Sequence, residues 1–230
     1  MKLLYTPDLH IRDTTPKCRS DNFFDIQFEK LEEASSVITS NKIDYWLWGG
    51  DLFDKAEPSL ELVNRLTVFL KKIQVPIISI IGSHDMVGYN VDTVMTRPVT
   101  ALGNLYINGH IKVLNNTRNS LTKLTSNGIV YLKGIHARKD ILLSDYKINR
   151  EKEITIIMSH DPIVETPVIF EHVLIKDVAQ KCNADIVLCS HVHTQFDVVS
   201  NGVRFINPGP MSRQEATEIG IEPKFCIVEV

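Results

Sequence analysis

The chain has 230 residues, of which 43% are apolar and 23% charged, and its formal net charge is −3. This composition is that of an ordinary globular domain with enough residues for a substantial core, and it excludes disordered and fibrous classes. No window approaches about 18 consecutive apolar residues, and the opening "MKLLYTPDLH" turns polar early, so we expect neither a membrane span nor a signal peptide.

The strand-like runs alternate with helical patterns in the first half of the chain. "LLYTPD", "IDYWLWGGD" and "VPIISIIGS" read as buried strands, and amphipathic stretches near residues 23–40 and 58–73 lie between them, the second beginning at Pro58 or Ser59. Further strands follow in "GIVYLKGIHA", "EITIIMSHD" and "ADIVLCSHVH", then a hairpin in "FDVVSNGVRFINPG" and a last strand in "FCIVEV". We predict one α/β domain over residues 1–230, with a mixed sheet or two packed sheets.

The chain has four cysteines, Cys18, Cys182, Cys189 and Cys226. None of them forms a C-x-x-C pair, which indicates reduced thiols and a cytoplasmic protein. The small negative net charge neither indicates nor excludes nucleic-acid binding, because bound cations would change the local sign.

Five of the strand-like runs end in carboxylate or imidazole side chains. In α/β folds, functional sites collect at the carboxyl ends of strands, so we expect these side chains to converge on one surface. They are Asp8 with His10, Asp51, His84 with Asp85, His160 with Asp161, and His191 with His193.

Each of these motifs also has an ordinary structural explanation when taken alone. A "GGD" turn, a capping Ser or Asp and a solvated histidine are all common. Together, however, they exceed the ligands that one metal ion needs. Two divalent ions about 3.5–4 Å apart that share a bridging carboxylate would use them all, and such pairs suit in-line attack on phosphorus. The mixture of oxygen and imidazole ligands favours Mn²⁺, Fe or Zn²⁺ over Mg²⁺ or Ca²⁺.

The ordered set "DLH", "GGDLFD", "GSHD", "SHDP" and "SHVH" resembles the calcineurin-like metallophosphoesterase superfamily. The segment "WGGDLFDKAEPS", followed by "GSHD", is most similar to its SbcD-type branch, the nuclease subunit of double-strand-break repair complexes. The resemblance runs from Asp8 to "NPGPMSR". It implies a four-layer αββα sandwich with two mixed β-sheets and a dinuclear site along one edge.

The resemblance also implies roles for individual residues. The first ion would be held by Asp8, His10, Asp51 and His193, and the second by Asp51, Ser83, His160 and His191. His84 would be the general acid and Asp85 would orient it. Gly49, Gly50 and Gly82 would let the backbone approach metal and phosphate closely.

Two features depart from the family pattern. Ser83 stands where the family has Asn, and its shorter hydroxyl predicts weaker binding of the second ion. The chain also ends at residue 230, so we expect the capping region and the segment that docks the SMC-like ATPase to be absent. SbcD-type proteins commonly dimerise, and Pro58–Leu70 could form that contact, although a buried internal face would produce the same pattern.

The function that these observations favour is a Mn²⁺-dependent phosphodiesterase, an SbcD-like DNA nuclease that uses a metal-activated water. His136 and Arg213 could add phosphate contacts, although solvated loops would also account for them. The alternatives are a small-molecule phosphoesterase acting on a cyclic nucleotide or a monoester, and a scaffold protein that has lost one metal through Ser83.

Overall fold

The structure is a computed structural model that describes residues 1–114, 121–125, 128–148 and 153–230. For residues 121–125 and 153 it describes only the backbone. The strands are β1 (Lys2–Thr6), β2 (Tyr45–Trp48), β3 (Ile77–Ser79), β4 (Lys112–Val113), β5 (Leu121–Thr125), β6 (Gly128–Ile135), β7 (Glu153–Ser159), β8 (Ile163–Val164), β9 (Val173–Leu174), β10 (Ile186–Cys189), β11 (Phe196–Ser200), β12 (Val203–Asn207) and β13 (Cys226–Glu229). The helices are α1 (Phe23–Asn41), α2 (Leu60–Leu70), α3 (Asp92–Met95), α4 (Ala101–Ile107) and α5 (Ile175–Ala179), with 3₁₀ turns at Leu143–Tyr146 and Ala216–Glu218.

Both large sheets are mixed. The first has the order β13-β1-β2-β3-β4, in which only the β13–β1 pair is antiparallel. The second has the order β11-β12-β10-β7-β6-β5, with parallel pairing at its centre and an antiparallel pair at each edge. The expectation of two mixed sheets is therefore confirmed.

Alternating side chains place the two sheets face to face. Leu3 and Tyr5 of β1 pack between the sheets with Met158 of β7, whereas Leu4 points to the helices on the other side. On β7, Ile157 faces away from the first sheet. This period of two is what a strand buried on both faces requires, and it explains why these strands read as continuous apolar runs.

The helical layers on the two outer faces are unequal. Helices α1 and α2 cover the first sheet, and Ser59 begins α2 because its side chain accepts a hydrogen bond from Leu62 N over 3.2 Å. The second sheet is covered by α5, which has five residues, and by the 3₁₀ turn at Leu143–Tyr146. On α2, Leu60 and Val68 remain exposed while the opposite face joins the core.

All four cysteines are free thiols. Within the described ranges, no helix combines the length and the apolar character that crossing a membrane requires.

Candidate metal centre

The loops that follow β1, β2, β3, β7 and β10 meet at one edge of the paired sheets. Seven of the residues expected from the sequence contribute to three overlapping groups whose ligand atoms lie within 4.8 Å of one another in each group. The groups are Asp8–His10–His193, His10–Asp51–His84 and Asp51–His160–His191. The two sheets are tied together here, because His191 N donates to both oxygens of Asp8 at 3.0 and 3.1 Å.

Asp51 lies where these groups overlap. Its Oδ2 is 3.1 Å from His160 Nε2 and 3.7 Å from His10 Nε2. Ser83 Oγ donates to the same oxygen over 3.4 Å, and Oδ1 accepts from His84 N at 2.8 Å. One carboxylate oxygen therefore faces imidazoles from both sheets, which is the arrangement a bridging ligand needs.

The hydrogen bonding of His160 directs its Nε2 into this cluster. Its Nδ1 is 2.7 Å from Gly49 O, so Nδ1 carries a proton, and the buried Nε2 faces Asp51 Oδ2 at 3.1 Å. Burial lowers the pKa of His160. The negative charges of Asp51 and Asp8 outweigh this effect and raise the pKa above its ordinary value, to about 10. In the neutral form Nε2 would face a carboxylate oxygen with no proton between them, and a cation satisfies both groups.

His10 and His193 present a similar pair of nitrogens. Their Nε2 atoms are 3.3 Å apart, and His10 Nδ1 is buried without a hydrogen-bond partner. Burial lowers the pKa of His10 to about 3, although Asp51 opposes the shift. Burial also raises the pKa of Asp8 to about 6. Neutral imidazole beside poorly solvated carboxylate is the donor set that a buried divalent cation stabilises, so these residues fit a metal centre.

Several of these residues have a strained backbone. Among the described residues, seven non-glycine positions have positive φ, and four of them belong to the cluster: Asp8 (48°), His10 (41°), Asp51 (50°) and His191 (70°). Such conformations cost on the order of 1–3 kcal/mol each and concentrate at functional sites. Position 82 has room only for glycine, because a Cβ there would clash with Asp51 Oδ1 at 2.1 Å.

His84 is exposed at the edge of the cluster, and its imidazole is held by a group that the sequence did not indicate. His84 Nδ1 lies 2.7 Å from Asp54 O. Asp85 was expected to orient His84, but its oxygens accept from Gly82 N and Leu52 N, both at 2.9 Å. The carboxylate of Asp85 thus fixes the two loops around Asp51, while the carbonyl of Asp54 contacts the imidazole of His84, and the orienting role of Asp85 stays a prediction.

Glu218 is a site residue that sequence reasoning missed. It is buried, and its Oε1 lies 2.5 Å from His193 Nδ1. Its Oε2 accepts from the backbone N–H groups of Gln214 and Glu215 at 2.6 and 3.0 Å. A carboxylate on the far nitrogen of a metal-ligating histidine fixes the tautomer that leaves Nε2 free. Nothing in "RQEATEIG" marks Glu218 apart from its neighbour Glu215.

His136 and Arg213 lie outside the cluster. His136 is buried and accepts a hydrogen bond from Ile81 N at 3.1 Å, so the expectation that it lies in a solvated loop is wrong. Arg213 is exposed, donates to Ile219 O at 3.0 Å, and lines a separate small cleft beside Cys18 and Arg19. Their contact with phosphate stays a prediction.

Two open clefts meet at the cluster. One of about 860 Å³ has walls formed by His10, Asp51, His84, His191 and His193 together with Arg12, Lys17 and Phe170. The other, of about 460 Å³, contains Ser83, His160, His191, Tyr89, Lys139 and Phe170. His191 and Phe170 line both clefts, so the two clefts adjoin at the cluster, and together they are termed the groove.

The family model described as calcineurin-like phosphoesterase matches residues 1–195, whereas no curated protein matches the chain. Among solved structures, an archaeal phosphodiesterase is 13% identical, with 100% of this chain and 93% of that one covered and a TM-score of 0.50.

Two further solved structures share the fold. A putative 5′-nucleotidase from Staphylococcus aureus is 14% identical, with 91% of this chain covered, 48% of that chain covered and a TM-score of 0.60. GAP50 of Plasmodium, described as the anchor in the inner membrane complex, is 10% identical, with 99% and 80% covered and a TM-score of 0.59. At these identities the structures establish the fold alone, and this chain spans about half of the nucleotidase.

Proposed function

The chain belongs to the calcineurin-like phosphoesterase family and is a metal-dependent phosphoesterase, and from this premise we propose that it hydrolyses phosphodiester bonds of DNA as an SbcD-like nuclease. The first ion would be held by Asp8, His10, Asp51 and His193, and the second by Asp51, Ser83, His160 and His191. Mn²⁺ suits these mixed ligands, with Fe or Zn²⁺ as the alternatives.

The observation that carries this proposal is the position of Asp51 Oδ2 between imidazoles of the two sheets, 3.7 Å from His10 Nε2 and 3.1 Å from His160 Nε2. When bound, a pair of divalent ions supplies an activated water and neutralises the phosphoryl oxygens. The chain itself keeps its imidazole nitrogens available: Gly49 O holds the Nδ1 proton of His160, and Glu218 does the same for His193.

His84 is the residue that can deliver a proton to the leaving oxygen. It is exposed to the larger cleft, and its Nδ1 is fixed by Asp54 O. The remaining nitrogen of the protonated ring is then free to donate to a phosphate ester oxygen. General acids of this kind need geometry first, and here the carbonyl of Asp54 supplies it.

The shape of the groove supports a polymer over a small substrate. The two clefts are open and share His191 and Phe170 in their walls, so an extended strand could contact both. Lys17 on one side and Lys139 on the other offer ammonium groups to phosphates, whereas Arg12 is paired with Asp54 at 3.2 Å. The similar archaeal phosphodiesterase supports a diester, while the putative 5′-nucleotidase keeps a small nucleotide as the second candidate.

The partners stay proposals as well. DNA is the proposed substrate, an SMC-like ATPase follows only from the SbcD resemblance, and a homodimer through Pro58–Leu70 would use the exposed Leu60 and Val68.

The test is hydrolysis in Mn²⁺ of single-stranded DNA, duplex DNA, a cyclic nucleotide and p-nitrophenyl phosphate esters, each repeated with EDTA and with Asp51→Asn. Metal-dependent cleavage of DNA by the wild type alone is the expected result. Turnover confined to the cyclic nucleotide or the monoester would establish the small-molecule alternative. Metal binding without hydrolysis of any substrate would indicate a scaffold protein.

A further inference from the structure

A tyrosine occupies a strained turn at the edge of the smaller cleft. In the turn from Val87 to Asn90, Gly88 has φ 63° and Tyr89 has φ 55°, and Asn90 N donates to Val87 O at 3.1 Å. Positive φ at both central positions is the type I′ geometry, which favours Gly, Asn and Asp. Tyr89 is also 46% exposed, so core packing does not compensate for its backbone strain. Neither the fold nor the turn explains an aromatic residue here.

The surroundings of Tyr89 connect it to the candidate metal centre. The cleft that Tyr89 lines also contains Ser83 and His160, which lie at the proposed second metal position. Phe170, which is 48% exposed, lines the same cleft. Lys139 Nζ lies 5.9 Å from the centre of the Tyr89 ring. Two exposed aromatic rings and an ammonium group therefore lie beside the cluster.

This combination is the chemistry that binds an unpaired nucleotide. Aromatic side chains stack on the π-face of any base, and a neighbouring cation contacts the backbone phosphate. In a duplex the bases already stack on one another and pair, so offering one to Tyr89 would require unstacking it. An unpaired strand has no such penalty.

We propose that the smaller cleft is a base-stacking subsite in which Tyr89 and Phe170 hold an unpaired base next to the scissile phosphate, with Lys139 contacting the backbone. The substrate class is then single-stranded nucleic acid rather than duplex. This inference rests on the proposed function for the cleavage step, but the binding step can be measured by itself.

The test compares a labelled single-stranded oligothymidylate with an abasic strand of the same length, which has the same phosphates and no bases. Binding is followed by fluorescence anisotropy on Mn²⁺-loaded protein in a His84→Ala background, which slows turnover while keeping the proposed metal ligands. Tyr89→Asn removes the ring and supplies a residue that tolerates positive φ, so its Tm should hold or rise. Lys42→Asn is the matched control, because Lys42 has φ 54° at the end of α1.

The expected result is that the His84→Ala protein binds the thymidylate about ten-fold more tightly than the abasic strand. Tyr89→Asn should lower this ratio while Phe170 remains in place, and Lys42→Asn should leave it unchanged. Equal binding of the two strands before the Tyr89 change, or an unchanged ratio after it, would overturn the subsite. If the ratio depends on Tyr89 but the wild type cleaves no DNA, the subsite stands and the nuclease proposal fails.

Discussion

Glu218 Oε1 lies 2.5 Å from His193 Nδ1, although the two residues are 25 positions apart in the chain. The hydrogen bond raises the pKa of His193 against the opposing effect of burial, which lowers it. It also assigns the proton of the imidazole to Nδ1 and leaves Nε2 to face His10. Glu218 thus determines which nitrogen of His193 is available to a metal.

Glu218→Gln should weaken Mn²⁺ binding by about 10- to 100-fold, the usual effect of losing the outer partner of a ligating histidine. A glutamine must accept from the Gln214 and Glu215 amides and from His193 with a single oxygen, so one of these contacts is lost. Calorimetric titration with Mn²⁺ measures the affinity, and Glu165→Gln at an exposed position is the control. Equal affinity in Glu218→Gln and wild type would show that the carboxylate only caps the turn at Ala216–Glu218.

His84→Gln should leave the metal ions bound and lower turnover by about 10²- to 10⁴-fold, because the proton donor is lost while the buried ligands are untouched. Steady-state rates on the best substrate, measured together with metal content, check this. His110→Gln removes an imidazole outside the cluster and is the control. A wild-type rate in His84→Gln would make His84 structural and assign the acid to another group.

Ser83→Asn should make the two metal sites more alike. The Ser83 hydroxyl donates to Asp51 Oδ2 over 3.4 Å and is too short to replace an amide oxygen as a direct ligand without a closer backbone approach. We expect wild-type titration with Mn²⁺ to give one tight and one weak site, and Ser83→Asn to tighten the weak one and raise activity at low Mn²⁺. Two tight and equal sites in the wild type would contradict this account.

Mn²⁺ binding between pH 7 and 8 should release about one proton more from the wild-type chain than from His160→Gln. The pKa of His160 is about 10 without metal, so the ring is protonated in this range, and Nε2 must lose its proton before it can ligate. Affinity should therefore rise with pH below that value. Calorimetry in buffers of different ionisation enthalpy counts the protons, with His160→Gln as the comparison. Equal proton release from the wild type and from His160→Gln would mean that His160 is not a ligand.

The sequence predicted the parts of this protein that depend on local patterns. The alternation of Leu3, Leu4 and Tyr5 marks a strand buried on both faces, and Ser59 marks a helix start. The shortest strands could not be predicted, because β4, β8 and β9 have two residues each and are too short to show alternating hydrophobicity. The burial of His136 was missed for another reason: "HARK" is typical of a solvated loop, and only the tertiary structure buries His136, where its Nδ1 accepts a hydrogen bond from Ile81 N.

The ligand types and their order could be predicted from the sequence because each motif follows its own strand, and parallel strands bring their carboxyl ends to one edge. The contacts that position the ligands and the general acid could not be predicted from the sequence, because they join segments that are distant in the chain. Asp54 O at His84, Glu218 at His193 and the stacking position of Tyr89 depend on how loops from separate strands pack together. The carbonyl of Asp54 is a main-chain group that every residue has, so no sequence motif can indicate it. The carboxylate of Glu218 is one of several nearby, and its position in the sequence does not distinguish it from the others. The sequence by itself determined which atoms can bind metal, and the tertiary structure alone decided how they are oriented.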